Sequence, residues 1–118
     1  MKEFPSEEDL AFLNGLTVSN AILQPYSIDF SFDDGTYLTV EHVLEHIHDN
    51  GRRDSFDIQE GYGPLDLHKI VNHRIVGFER EPLRLTLRFD NGHSLRITSI
   101  LGFYESGHFN RRGECWIF

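Results

Sequence analysis

Slid over itself without a gap until Asp9-Leu10 falls on Asp66-Leu67, the sequence matches itself where backbone shape is most demanding. Pro25 falls on Pro82, and Phe32-Asp33-Asp34-Gly35 falls on Phe89-Asp90-Asn91-Gly92. Leu38 falls on Leu95 and Leu44 on Leu101, while Val18, Ile28, Phe30 and Val40 meet Ile75, Leu85, Leu87 and Ile97. Proline and glycine are selected for backbone conformation, so their coincidence points to one duplicated unit rather than two unrelated amphipathic stretches. A period this long, present only twice, does not suit a solenoid of short stacked repeats; two copies are expected to pair about a pseudo-two-fold axis and share one core. We read the 118 residues as a single domain (1–118), with repeats over 9–44 and 66–101 and a connector over 45–65.

Each repeat predicts strands. Tyr26 to Phe32 and Leu83 to Phe89 alternate apolar and polar residues, the period of a strand with one buried face. A three-residue turn ending in a left-handed glycine at Gly92 pairs Leu87 with Leu95 and Leu85 with Ile97, whereas a two-residue turn mixes the faces. Short extended stretches at 16–22 and 74–78, closed by Pro25 and Pro82, complete a three-stranded antiparallel meander in each repeat. Ser6-Glu7-Glu8-Asp9 reads as an N-cap and acidic first turn of a short N-terminal helix ended by Asn14-Gly15, with a counterpart of a turn or two expected over 64–71. The fold class expected is mainly β (β-rich α+β), the two meanders packed as a small sandwich or a barrel. Glu114 to Phe118 is expected to add a last strand or a subunit contact, with Cys115 beside Trp116 in the core.

Composition narrows function by exclusion. With 39% hydrophobic and 25% charged residues the chain lies outside the disordered class. No apolar run approaches the ~20 residues that cross a bilayer, and the acidic N-terminus lacks the apolar stretch of a signal peptide. A single cysteine excludes an internal disulfide and cysteine-based zinc motifs. A net charge of −8 opposes binding to phosphate backbones and anionic lipid. The expectation is a cytoplasmic protein with neither nucleic acid nor membrane as partner.

His42-Val43-Leu44-Glu45-His46 matches H-x-x-E-H, which on a helix places two histidines on one face for zinc with the glutamate as general base. That reading needs a helix over 41–47. The repeat instead makes Leu38 to Val43 the returning strand of a hairpin, with both histidines on one face and Glu45 on the other. A zinc-dependent hydrolase centred on His42, Glu45 and His46 is therefore the alternative, as is a looser zinc or nickel site of His42, His46 and His48. The leading expectation has no cofactor. A small-ligand carrier would need a barrel cavity lined by Tyr26, Phe30, Phe32 and Phe89, residues that serve equally as core.

Charge separates the two halves: residues 1–51 hold ten acids and one base, residues 52–118 nine acids and ten bases. In the hairpin register above, Arg84, Arg88 and Arg96 project from the outer face of the second hairpin, where forked guanidinium contacts suit carboxylates. With Tyr62 in the connector as an aromatic anchor, they are the candidate binding residues for a protein partner or for self-association through the acidic half of a second copy. The leading function is thus a non-enzymatic protein-interaction module, homo-oligomeric.

The paired F-[DN]-[DN]-G-x-x-L hairpins give the chain, from about Leu10 to Leu101, a resemblance to small bacterial domains of unknown function built on a duplicated β-hairpin. That resemblance implies a bacterial cytoplasmic protein and no particular activity. In its small size and acidity the chain also resembles the immunity proteins of polymorphic toxin systems, whose acidic faces neutralise a basic toxin.

Overall fold

The computed structural model describes residues 3–60, 66–100 and 105–118. Ser6 caps a single helical turn, α1 (Glu7–Leu10), its Oγ accepting from the Asp9 N–H at 3.2 Å. A 3₁₀ turn follows at Ala11–Leu13. The counterpart in the second half is a 3₁₀ turn at Leu67–Ile70.

Ten strands follow among the described residues: β1 (Val18–Leu23), β2 (Ile28–Phe32), β3 (Tyr37–Val40), β4 (Val43–Ile47), β5 (Arg53–Asp57), β6 (Ile75–Glu81), β7 (Arg84–Phe89), β8 (Ser94–Thr98), β9 (Gly107–Arg111) and β10 (Glu114–Ile117). They form two five-stranded antiparallel sheets, ordered β1-β2-β3-β9-β10 and β5-β4-β8-β7-β6, and neither closes into a barrel. Both meanders are present, and β7 meets β8 in the anticipated register, Leu85 opposite Ile97 and Leu87 opposite Leu95. Gly92 takes φ +87°, as the three-residue turn requires.

Positions matched by the repeat are equivalent in space. Thr17 bridges its own counterpart Arg74. Around that bridge the Val18 N–H donates to His73 O at 3.0 Å and the Ile75 N–H to Leu16 O at 2.8 Å. The Gly15 N–H likewise donates to Ile75 O and the Asn72 N–H to Val18 O. Gly15 and Asn72 are both left-handed (φ +88° and +68°), a conformation asparagine tolerates better than most residues. Even the register shift recurs, at Val18/Asn20 and at Ile75/Gly77.

Two expectations are corrected. The returning strand does not run from Leu38 to Val43: β3 stops at Val40, and Val43 begins β4 in the opposite sheet, beside β8. β4 and β5 therefore occupy the end of the stretch read as the first repeat and most of the stretch read as connector, and their mate is the β9-β10 hairpin, which crosses back to pair with β3. Each sheet thus joins the meander of one half to the trailing hairpin of the other. Tyr62 lies outside the described residues.

One apolar cluster fills the space between the sheets, from Leu10 and Leu13 through Phe30, Leu38 and Leu44 to Leu87, Ile97, Phe109 and Phe118. Phe30, Phe32 and Phe89 are buried in it, while Tyr26 is 69% exposed, so the four aromatics do not line a common cavity. Cys115 is exposed rather than in the core, because β10 is an edge strand and Cys115 alternates with the inward-facing Trp116.

Candidate functional site

Extended backbone decides the fate of the H-x-x-E-H motif. Residues 43–47 are strand, not helix, so the stretch from His42 to His46 spans about 13 Å. His42 precedes β4 and lines a surface depression with Tyr26, Glu41, Gln59 and Glu105. Glu45 faces outward, 3.9 Å from Arg53, while His46 points into the core and is fully buried. The motif is divided between two faces and assembles no zinc-protease constellation.

Other histidines meet instead. The pleat of β4 turns Leu44, His46 and then His48 inward, and the β7-β8 turn delivers His93 to the same place. His46 Nε2 lies 2.9 Å from His93 Nδ1, and the His46 and His48 rings stack with centroids 4.0 Å apart. One ring nitrogen from each of the three lies within 4.8 Å of the others. His46, His48 and His93 are 0%, 4% and 6% exposed. Two Asp-Asn-Gly turns hold them: Asp49-Asn50-Gly51 follows His48 and Asp90-Asn91-Gly92 precedes His93. In each turn the asparagine Oδ1 accepts a backbone N–H two residues on, from Arg52 at 2.9 Å and from His93 at 3.3 Å.

Carboxylates surround the rings. The 2.7 Å contact of His48 Nε2 with Asp54 Oδ2 is a hydrogen bond when Nε2 carries the proton, which leaves Nδ1 of the neutral ring as a lone pair. That bond, aided by the Arg52 charge and opposed by partial desolvation, holds the Asp54 carboxyl below its usual range. Arg52 donates to Asp66 at 3.0 Å, and Asp49 Oδ1 stands 3.8 Å from His93 Nε2. Burial, reinforced by His48 and His93, pushes His46 down to about 4. Burial lowers His93 as well, against the pull of Asp49. At neutral pH these two rings are uncharged. The Nδ1 of His46 is buried and has no hydrogen-bond partner among the described residues.

The other half of the molecule shows what the fold needs at this place. His46 opposes Leu95 as Phe109 opposes Leu38, so His46 and Phe109 are counterparts, His48 corresponds to Arg111, and His93 to Thr36. There Arg111 lies 4.7 Å over the Phe12 ring, and Phe12 stacks on Trp116. An aromatic, cationic and hydroxyl set fills the same architecture without imidazole.

The arginines stand where the pattern placed them, on the outer face of the second sheet, but each is engaged within its own sheet. Arg84 Nε lies 3.6 Å from Glu81, Arg88 donates to Glu79 at 2.7 Å, and Arg96 Nε donates to Thr86 Oγ1 at 3.2 Å. Cross-strand neighbours on that face are rows such as Glu79-Thr86-Arg96-Glu45-Ser55, in which acids and bases are interspersed. The outer face of the first sheet differs. Its rows are Ile22-Asp29-Thr39-His108-Ile117 and Asn20-Ser31-Tyr37-Asn110-Cys115, with Ile22 46%, Tyr37 52% and Ile117 41% exposed. Asp29 is the one carboxylate in these two rows, so the apolar and polar uncharged residues dominate. Sequence reasoning missed this face because it tracked charge rather than its lack.

A scan against protein-family models and searches of curated proteins and of solved structures find no match to this chain. No helix among the described residues is long and apolar enough to cross a membrane.

Proposed function

We propose that this chain is a non-enzymatic interaction domain that docks through the outer face of the β1-β2-β3-β9-β10 sheet, with a second copy of the chain as its occupant. One observation carries the reading: in a molecule with near-equivalent halves, one outer face is laced with ion pairs, while two rows of the other hold Ile22, Tyr37 and Ile117 with Asp29 as their one carboxylate and His108, 3.3 Å from Glu105, as their one ion-paired residue among the described residues. Exposed apolar side chains on an otherwise little-charged face mark an association surface, and here Ile22 and Ile117 stand on the two edge strands with Tyr37 on the central one. Two chains of net charge −8 repel, and the face with least charge is where they approach at least cost. The burial of His46, His48 and His93 and the turn of Glu45 to the opposite face support a role other than catalysis, since no one surface presents them together to a substrate.

The test is sedimentation equilibrium on metal-free protein across a wide concentration range. Self-association is expected, weakened about tenfold or more by Tyr37→Asp or Ile22→Asp, each of which brings a charge into the desolvated contact. Attachment of a bulky maleimide to Cys115, which stands in the Tyr37 row, should act likewise. A chain still monomeric at about 1 mM, where association worth only about 4 kcal/mol would show, overturns the reading.

A further inference from the structure

We propose that His46, His48 and His93 together bind one transition-metal ion of the zinc or nickel type, tying the trailing hairpin of the first half to the meander turn of the second. The proposal does not depend on the docking face. It differs from the set suggested by the sequence, because His42 is absent from it and His93 comes from the other repeat.

Convergence is the first ground. Three buried imidazoles each offer a ring nitrogen within 4.8 Å of the other two. Ligands on a tetrahedral ion with bonds of about 2.1 Å stand about 3.4 Å apart, so contraction of the order of 1 Å closes the site. Nε2 of His46 and Nδ1 of His93 already lie 2.9 Å apart.

Pairing within the cluster is the second ground. The 2.9 Å contact of His46 Nε2 with His93 Nδ1 holds one proton between two neutral imidazole nitrogens, so one lone pair already points to the place an ion would take.

The surroundings are those of a ligated histidine. Asp54 holds the His48 ring by its Nε2, which Arg52 Nη2 also approaches at 3.1 Å, and a carboxylate so placed orients a histidine ligand. Asp49 stands on the far side of the His93 ring, 3.8 Å from Nε2. Imidazole ligands suit zinc, nickel and copper and disfavour magnesium and calcium. Nor does the fold require these residues, for Phe109, Arg111 and Thr36 fill the equivalent places in the other half.

The test is titration of untagged, chelator-stripped protein with ZnCl₂. Isothermal calorimetry should give one ion per chain, and the melting temperature should rise by roughly 10 °C once free Zn²⁺ is a hundred times the dissociation constant. Histidine-ring ¹H–¹⁵N spectra of the wild-type chain should move for His46, His48 and His93 and not for His42, His68, His73 or His108. His46→Phe and His93→Thr, which borrow the residues of the other half and so preserve packing, should abolish binding, while His42→Ala should bind like wild type. Absence of saturable binding, binding that shifts other rings, or binding that survives both variants overturns the proposal. The ring spectra decide even if a variant fails to fold, and with sedimentation run on stripped protein a failure here is distinct from a failure of the docking reading.

Discussion

At the scale of single residues, His46 ties stability to pH. Its folded value of about 4 lies below the ordinary 6.5, so between these values the unfolded chain binds more protons than the folded one. Stability from this group is fully present above about pH 6.5 and is lost as pH falls through the window to 4, up to roughly 3 kcal/mol in all. His48 and His93 act on it in the same direction, Asp54 and Asp66 against it, and His93 is lowered by its own burial. Asp54, Asp66 and Asp90 are also lowered, but from 3.8, so their losses begin only in more acid solution. Urea midpoints of chelator-stripped protein should therefore fall between pH 7 and pH 5, and His46→Phe should flatten that slope. A midpoint unchanged over this range in the wild type would remove the histidine from the account. Of the three clustered histidines, His46 stood out in the sequence through a motif whose spacing belongs to helices, and His48 as an imidazole added to it in a looser metal set. The third was legible only as the second of two Asp-Asn-Gly turns, each with a histidine beside it at His48 and His93.

Among the elements, the meanders were readable and the trailing hairpins were not. β2, β3 and β8 alternate cleanly because each buries one face under the opposite sheet, and β7 departs from this only at Thr86, which is buried as well. β5 is an edge strand of Arg-Asp-Ser-Phe-Asp that buries only Phe56 fully, so its pattern is indistinguishable from a polar loop. The mate of β4 was hidden because equivalence there slips out of the gapless register, which sets His46 on Phe103, whereas in space His46 corresponds to Phe109. In that shifted register Leu44 corresponds to Gly107. The absent side chain is filled by Phe118, whose ring stacks on Phe4 at 4.3 Å. A Cβ on Gly107 would collide with the Thr39 carbonyl oxygen and come within 2.6 Å of the Phe118 ring. Gly107→Ala is expected to destabilise by about 3 kcal/mol or more, since backbone and a fully buried ring must both yield. Gly77→Ala meets only the end of the Arg88 side chain, which can swing away, and should cost no more than about 1 kcal/mol. Paired urea titrations decide it, and equal costs at the two glycines would refute the packing argument.

For the whole molecule, the exchange of hairpins makes the halves interdependent. Residues 1–60 contain β1-β2-β3 for one sheet and β4-β5 for the other, so without the second half β3 loses β9 and β4 loses β8. Both strands then become unpaired edges, and Phe30, Leu38 and Leu44 lose Leu87, Ile97 and Phe109 from the shared core. Neither half has enough apolar surface of its own to offset the entropy of ordering about 60 residues. Fragments 1–60 and 61–118, prepared separately, should each lack a cooperative thermal transition as monomers. Mixed in equal amounts, they should recover the strand circular dichroism and urea midpoint of a folded chain, with recovery second order in concentration. The pseudo-two-fold axis adds a sharper expectation: any structure fragment 1–60 gains alone should come from a symmetric dimer, in which the β4-β5 hairpin of each copy reaches across to β3 of the other. A monomeric, cooperatively folded 1–60 would mean that the first half carries a core of its own, and the exchange of hairpins would then be a feature of packing rather than of stability.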